Sequence, residues 1–305
     1  MVEFYKNKKY DVEHALNMYA HSFVLMPAFG IYEDHLVAPL QEQIRDCHIY
    51  LIGKLPKIEV LNVEQISRDM VMYFRILGRD HSLHWPLPEG ATLNHGSGGD
   101  WYVRNQLGEN IFPTNHAIMS RLCHEKNLQD FEILYIGQAF GDEGSRNALD
   151  RLKKHETLQK IAINGISTDY LLYLIMLKIV PQSRMITMFN PFAQDREHGE
   201  ARIEMGISKL IEITEAERTT LYEASLIRYF QPRYNKEFKN SFPSTNMKIL
   251  KDCYSKDIAT IIAEICLDHF PVRLYTDSIP PKVNHIAQHD LHTDTARRVF
   301  FLSKA

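Results

Sequence analysis

The chain has 305 residues, of which 45% are hydrophobic and 24% are charged, as is usual for a globular protein of about two domains. No apolar run approaches the roughly 18 residues that a membrane span needs, and residues 1–10 lack the apolar segment of a signal peptide. We therefore expect a cytoplasmic protein with no membrane association. Nucleic-acid-binding proteins are more often basic, so the net charge of −3 is mild evidence against nucleic-acid binding. A local basic face can still attract an anion.

The N-terminal part of the chain has the patterns of a separate module. Residues 12–20 and 36–47 are predicted helices, and residues 70–77, rich in β-forming side chains, are a predicted strand. Proline and glycine become frequent in residues 85–99, which is typical of a loop or a domain boundary. We expect residues 1–95 to form a recognition or regulatory module.

A second boundary is expected at residues 240–246, where asparagine, serine and proline are concentrated. The central domain would then span residues 96–245, and residues 246–305 would form a C-terminal extension. Within that extension, residues 258–267 are a predicted helix.

The central domain contains a strand, a turn and a helix in succession. Residues 131–137 are a predicted strand that ends in glycine, and Ser145 is a good N-cap for a predicted helix over residues 146–163. Arg151 and His155 are four residues apart, so they would project from one face of that helix. A helix that presents arginine and histidine after a strand is a reasonable arrangement for holding a phosphate.

The second half of this domain contains a candidate metal ligand. Residues 170–180 are predicted to form a buried strand, with a buried helix as the alternative. Thr214 and Glu217 have the spacing of a capping box, which predicts the start of another helix. Glu223 lies in the apolar run of this helix, where a carboxylate is costly to bury unless it is paired or bound to a cation. Glu223 is therefore a candidate metal ligand, and Asn235 follows in a turn beyond the helix.

The order and local context of these residues resemble the GIY-YIG endonuclease family. The matching positions are Tyr135-Ile136-Gly137, then Arg151 and His155, then Glu223 on its helix, then Asn235 in its turn. Each residue alone has an ordinary structural explanation, so the resemblance depends on their joint order. It covers less than half of the chain.

The first motif of the family, Gly-Ile-Tyr, has no obvious counterpart beside the Tyr-Ile-Gly strand. A literal Gly30-Ile31-Tyr32 lies more than a hundred residues upstream of Tyr135, and we regard it as a coincidence. The better candidate is Trp101-Tyr102-Val103, which would put Tyr102 in the place of the motif tyrosine. This assignment lacks the glycine and requires an insertion in the hairpin, which restriction-enzyme members of the family tolerate.

The resemblance implies an α/β protein with the GIY-YIG nuclease fold, a small central sheet flanked by helices, with N-terminal and C-terminal additions. It also implies that the protein hydrolyses phosphodiester bonds. A single Mg²⁺ or Mn²⁺ held by Glu223 would act there together with the other site residues. Arg151 would bind the scissile phosphate, and Tyr102 or Tyr135 would position or deprotonate the attacking water.

Two further residues have implied roles in the same site. His155 would assist as a base or hold a tyrosine hydroxyl, and Asn235 would orient a phosphate or brace the site. These roles are what the resemblance implies, because the residue pattern alone does not assign them.

The expected partner is a nucleic acid, with DNA favoured over RNA. A restriction or phage-defence role is favoured over a structure-specific repair or mobile-element nuclease. Double-strand cutting would need a homodimer or sequential nicks, and a place in a larger defence complex is compatible with an active or an inactive protein. The alternative from another class is a catalytically inactive subunit that binds nucleic acid or protein. The acidic net charge and the uncertain first motif would suit that alternative.

Overall fold

The computed structural model describes residues 2–139, 148–164, 166–180, 183–243 and 246–300. Its helices, in chain order, are α1 (Val2–Lys6), α2 (Asp34–Val37), α3 (Gln41–Arg45), α4 (Asn115–Lys126), α5 (Ala148–Leu152), α6 (Glu156–Ile163), α7 (Gly199–Glu212), α8 (Glu215–Phe230) and α9 (Lys248–Ser255). Its strands are β1 (Val12–Pro27), β2 (Ile49–Pro56), β3 (Glu59–Ile66), β4 (Asp69–Ile76), β5 (Arg79–Pro86), β6 (Thr92–His95), β7 (Trp101–Arg104), β8 (Asn110–Ile111), β9 (Asp130–Gln138), β10 (Tyr170–Ile179), β11 (Arg184–Phe189), β12 (Thr260–Cys266), β13 (Arg273–Thr276), β14 (Ile279–Lys282) and β15 (Asn284–Asp290). None of these helices is long and apolar enough to cross a membrane.

One large mixed sheet organises most of the chain. It has nine strands in the order β14-β13-β9-β2-β10-β1-β12-β15, and β11 also pairs with β1. The expectation of a small central sheet flanked by helices, as in the GIY-YIG nuclease fold, is therefore wrong for this protein. Strands from all three of the predicted segments share this sheet, because β1 and β2 come from the first segment and β12 to β15 from the last.

The long strand β1 explains why two of the predicted helices are wrong. Residues 12–20 lie in β1, and the predicted helix at residues 258–267 is largely strand β12. The two strands run parallel, with Ala15 opposite Thr260 and Ala20 opposite Ile265. The first seven residues of β1 are all buried, as is usual for a strand covered on both faces. Continuous burial removes the alternation that would distinguish a strand from a helix in the sequence.

Other predicted elements are confirmed, with one change that affects the site. The predicted strands at residues 131–137 and 170–180 are β9 and β10, and the capping box of Thr214 and Glu217 begins α8 as expected. The predicted helix over residues 146–163 is instead two helices, α5 and α6, so Arg151 and His155 do not share one helix face. Ser145, the predicted N-cap, lies outside the described residues.

An insertion separates the neighbouring strands β2 and β9. Residues 57–129 contain two three-stranded sheets, β3-β4-β5 and β6-β7-β8, followed by helix α4. The buried side chains of this insertion form a cluster of their own that includes Phe74, Leu83, Val103 and Leu122. The insertion therefore has its own small core, while its two ends join adjacent strands of the main sheet.

A buried ionic network fastens the C-terminal segment to β1. The carboxylate of Glu13, on β1, accepts hydrogen bonds from Arg202 at 2.8 Å and from Arg297 at 2.9 Å. Both arginines also donate to Asp257, and the Arg202 guanidinium lies 3.9 Å from the centre of the Tyr10 ring. Burial acts to raise the pKa of Asp257, but the hydrogen bonds from the two arginines prevail and hold that pKa below its usual value.

Replacing Arg297 by methionine should destabilise the protein strongly. The substitution removes one of the two cations that pair with Glu13, whose side chain is 1% exposed, so a buried negative charge is left poorly compensated. We expect the free energy of unfolding in urea at neutral pH to fall by about 3–5 kcal/mol. Arg75→Met, which breaks an exposed pair with Asp80, is the matched control and should change little. Equal losses in the two variants would show that the buried network contributes nothing special.

Candidate active site

Two tyrosines from neighbouring strands form the centre of a polar cavity. Tyr50 on β2 lies opposite Gly137 on β9, and Tyr135 is two residues from Gly137, so both side chains project from the same face of the sheet. Their rings stack with centroids 6.3 Å apart and an interplanar angle of 26°. Each side chain affects the pKa of the other, because Tyr135 acts to raise the pKa of Tyr50 and Tyr50 acts to lower the pKa of Tyr135.

Gly137 makes this ring pair possible. A Cβ atom at position 137 would lie 2.5 Å from the Tyr50 hydroxyl oxygen and 2.8 Å from a ring carbon of Tyr135. Both distances are well inside van der Waals contact, so any side chain here would displace the rings. The glycine of the Tyr-Ile-Gly sequence therefore provides space for the tyrosines.

Arg151 connects the tyrosine pair to the helices. It lies in the last turn of α5 and lines the same cavity as Tyr50. Burial raises the pKa of Tyr50, as does the nearby Tyr135, whereas the Arg151 guanidinium acts in the opposite direction. Both phenols are consequently protonated at neutral pH in the protein alone, with a guanidinium already placed beside them.

His155 packs behind the tyrosines and caps α6. Its ring centroid is 5.4 Å from that of Tyr50 and 5.0 Å from that of Tyr135. Its Nδ1 accepts a hydrogen bond from the Leu158 backbone N–H at 3.2 Å, which places the proton of the neutral ring on Nε2. Burial, together with the charge of Arg151, lowers the pKa of His155 to about 4. This geometry suits a neutral residue that positions the tyrosine rings.

Glu223 projects from α8 into the same cavity. Its side chain is almost fully buried, and the backbone of Gln138 lies near enough to act to lower its pKa. Burial raises the pKa of Glu223 to about 8, and the negative charge of Glu237 adds to that effect. Arg151 acts in the opposite direction but does not compensate for the burial. A carboxylate in this position would be stabilised by a bound cation.

Asn235 fixes the turn that follows α8 against the edge of β9. Its Oδ1 accepts from the Ile136 backbone N–H at 2.9 Å, and its Nδ2 donates to the Ile136 carbonyl at 2.8 Å. The backbone N–H of Tyr234 donates to the Leu134 carbonyl at 3.0 Å beside it. Because its amide is used in this way, Asn235 braces the site, which is one of the two roles expected from the sequence.

The cavity that these residues surround has a volume of about 570 Å³. Of the six residues expected in the site, four line it: Tyr135, Arg151, Glu223 and Asn235. Its remaining lining residues, which sequence reasoning did not assign to the site, are Tyr50, Gln138, Glu156, Thr157, Lys160, Ile227, Tyr234, Lys236, Glu237 and Phe238.

Comparisons with protein-family models, with curated proteins and with solved structures returned no match to this chain.

The structure does not bring Tyr102 to this cavity. Tyr102 lies on β7 in the small sheet β6-β7-β8 of the insertion, with the Arg104 guanidinium 5.7 Å from its ring centre. The tyrosine beside Tyr135 is Tyr50, which is preceded by His48-Ile49 where the family motif has glycine and isoleucine. The pair Ile49-Tyr50 was a usable signal, but it lies on the far side of a long insertion.

The donor set of the cavity fits a hydrated hard cation. Glu223 and Glu237 are the carboxylates of the lining that belong to α8 and to the turn after it, and they are near enough for their charges to interact. Across the described parts of the chain there is no group of three or more histidine, cysteine or acidic side chains that could hold a metal ion. Mg²⁺ and Mn²⁺ keep several waters and need one or two carboxylates, whereas a structural zinc site needs four protein ligands.

Replacing Gly137 by alanine should disrupt the site and the strand pair beneath it. The added methyl group must displace the buried Tyr50 ring, so we expect the free energy of unfolding in urea to fall by about 1–3 kcal/mol. Gly98→Ala is a suitable control, because a Cβ at that position would meet only one atom of Asp100, at 3.6 Å. A Gly137→Ala protein as stable as the control would mean that the rings can move without cost.

The stability of the metal-free protein should depend on the ionisation of Glu223. Its folded pKa of about 8 exceeds the unfolded value of 4.5, so the protonated group favours the folded state, and this contribution is lost as pH rises from 4.5 to 8. Glu223→Gln keeps the shape and cannot ionise. In the presence of a chelator it should be close to wild type near pH 4.5 and more stable above pH 8, by an amount on the order of 3–5 kcal/mol.

Urea unfolding at the two pH values measures this difference. Glu200→Gln, at an exposed position of α7, controls for the loss of one negative charge. A stability gap between wild type and Glu223→Gln that does not change with pH would contradict the assignment of a raised pKa to Glu223.

Proposed function

We propose that this protein is a divalent-metal-dependent nuclease that hydrolyses phosphodiester bonds in DNA, with a catalytic site of the GIY-YIG kind. The observation that supports the proposal is the convergence of Tyr50, Tyr135, Arg151 and Glu223 on one cavity. These residues come from two strands and two helices that are distant in the chain, yet they supply two phenols, a guanidinium and a carboxylate. That set is sufficient to bind a phosphate, orient a water molecule and accept its proton.

Arg151 would bind the scissile phosphate. A guanidinium forms short, charge-assisted hydrogen bonds to phosphate oxygens, and it stabilises the extra negative charge that develops as the bond breaks. Because Arg151 lines the same cavity as Tyr50 and affects its pKa, a phosphate bound to the guanidinium would lie close to the phenol pair. Lys160 and Lys236 add positive charge to the same cavity.

The tyrosine pair would orient the attacking water, and a phenol that has first lost its own proton would accept the proton of that water. The two rings stack on each other and both contact the His155 ring, so the orientation of both phenols is set before a substrate arrives. Burial raises the pKa of Tyr135, and the negative charge of Glu223 raises it further. Neutralisation of that carboxylate by a cation would lower the pKa of Tyr135, so that its hydroxyl would release its own proton to solvent more readily and the resulting phenolate could accept a proton from the water.

Glu223, with Glu237 beside it, would hold the cation. When bound, Mg²⁺ or Mn²⁺ supplies positive charge that stabilises the phosphate and the leaving oxygen. Because the pKa of Glu223 is raised, cation binding displaces a proton, and the affinity for the cation should increase with pH up to about 8.

The insertion at residues 57–129 would select the target. The cavity would contact the scissile phosphate, so it would have little surface with which to recognise a base sequence. The insertion provides two further sheets between the strands that carry the catalytic tyrosines. A restriction or phage-defence role fits such a nuclease with an added recognition element.

Plasmid cleavage tests the nuclease activity directly. Supercoiled plasmid and single-stranded DNA are incubated with wild-type protein and Mg²⁺ or Mn²⁺, and with the variants Glu223→Ala, Tyr50→Phe and Tyr102→Phe. Wild type should cut only with the metal, and a chelator should stop it. Glu223→Ala and Tyr50→Phe should each lower the rate at least about 100-fold. Tyr102→Phe is the matched control and should retain the wild-type rate.

The other outcomes have separate meanings. DNA binding without cutting by the wild-type protein would favour the catalytically inactive binding subunit. Equal cutting by wild type and Glu223→Ala would indicate a contaminating nuclease or a different active site. Loss of activity in Tyr102→Phe but not in Tyr50→Phe would show that the catalytic tyrosine is Tyr102 in the insertion and not Tyr50.

A further inference from the structure

An apolar groove lies along a second face of helix α6, next to the candidate active site. Its volume is about 510 Å³, and its lining includes Phe29, Tyr32, Leu158, Ile163 and Leu171. Helix α6 contributes side chains to both spaces, so the groove and the active-site cavity have a common wall. A ligand that leaves the cavity across this helix would meet the groove.

Two exposed aromatic rings form one side of the groove, and we refer to Phe29 and Tyr32 as the aromatic shelf. They lie in the 3-10 turn Ala28–Tyr32, where residues three apart stand on the same side. The rest of the turn is anchored, because Ile31 is fully buried. Phe29 and Tyr32 are nevertheless 62% and 60% exposed, which is unusual for large aromatic side chains.

A set of cations connects the cavity to the aromatic shelf, and we refer to Arg151, Lys153 and Lys154 as the basic rim. Arg151 lines the active-site cavity and also a second depression of about 410 Å³, which it shares with Asp150, Lys153 and Lys154. The Tyr32 hydroxyl donates to the Lys153 carbonyl at 3.3 Å, so the rim ends at the shelf. Lys153 and Lys154 are both exposed to solvent.

Three arginines of the insertion lie next to acidic partners, in the pairs Arg68–Glu89, Arg75–Asp80 and Arg121–Glu125. A polyanion approaching the cavity is therefore attracted more strongly by the basic rim than by these arginines. Since the net charge of the chain is −3, this local concentration of cations matters for binding.

We propose that the aromatic shelf stacks unpaired bases of a DNA strand whose phosphates follow the basic rim into the active site. The proposal depends on the nuclease function and narrows its substrate to DNA with unpaired nucleotides beside the scissile phosphate. Aromatic faces stack on any base, and lysines along the backbone supply the charge, which is the combination that binds single strands. Bases within an intact duplex are already stacked on each other and are not available to the shelf.

Binding in the presence of a chelator tests the shelf separately from cleavage. Fluorescence anisotropy measures the affinity of the full chain for a labelled thymidine oligonucleotide of about 20 residues, and for a duplex of equal length. The variants are Phe29→Leu, which keeps an apolar surface without a ring, and Phe29→Trp, which keeps a ring. Phe189→Leu on β11 is the matched control, because Phe189 is 66% exposed and does not line the groove.

Phe29→Leu should weaken single-strand binding about 5- to 100-fold, as expected for the loss of base stacking. Phe29→Trp and Phe189→Leu should bind like wild type, and duplex affinity should change less than about twofold in all variants. Unchanged single-strand affinity in Phe29→Leu would overturn the proposal, as would a wild-type protein that does not bind single strands. A lower sedimentation coefficient for Phe29→Leu than for wild type, with unchanged DNA affinity, would overturn it too. That result would mean that the groove is an interface between two copies of the chain.

The shelf and the nuclease can fail independently. Metal-dependent cutting by wild type together with unaltered single-strand binding in Phe29→Leu would support the nuclease function and contradict base stacking on the aromatic shelf. A selective loss of single-strand affinity in Phe29→Leu, with no cutting by wild type, would support the shelf as a DNA-binding site and contradict the nuclease function.

Discussion

Tyr50 and Tyr135 can lie side by side only because residue 137 has no side chain. Their strands are adjacent and antiparallel, so the two rings and the space between them are determined by the register of a single strand pair. Arg151 lines the cavity beside this pair, and His155 packs on both rings. A shift of one residue in the register would turn one ring to the opposite face of the sheet and separate the whole set.

The second requirement of the site is an acid that is held in place without being neutralised by a protein cation. Glu223 is buried on α8, and the nearby guanidinium of Arg151 only partly offsets the cost of its charge. A stable fold would usually pair such a carboxylate more closely, as the same chain does with Glu13 and its two arginines. Glu13 is therefore part of a structural ion pair, whereas Glu223 occupies a position in which a bound cation would complete the charge balance.

Features that depend on neighbouring residues could be predicted from the sequence. Thr214 and Glu217 cap α8 as their spacing requires, and the order of Tyr135, Arg151, Glu223 and Asn235 identified four of the residues that line the cavity. Features that depend on distant pairing could not. Residues 12–20 carry a pattern that also fits a helix, and only the strands that flank β1 decide their conformation. The size of the sheet was mispredicted for the same reason, since it is assembled from strands at both ends of the chain.

Tyr50 was missed because the chain leaves the main sheet after β2 and returns only at β9. The insertion leaves and returns at neighbouring points, where Lys54 lies opposite Glu132 and the two side chains form an ion pair at 2.9 Å. Neighbouring strands are about 4.8 Å apart, so any folded unit whose ends come that close can be joined at this point without straining the tyrosine pair. The junction therefore lets the insertion diverge or be exchanged during evolution, while the residues around the cavity keep their positions.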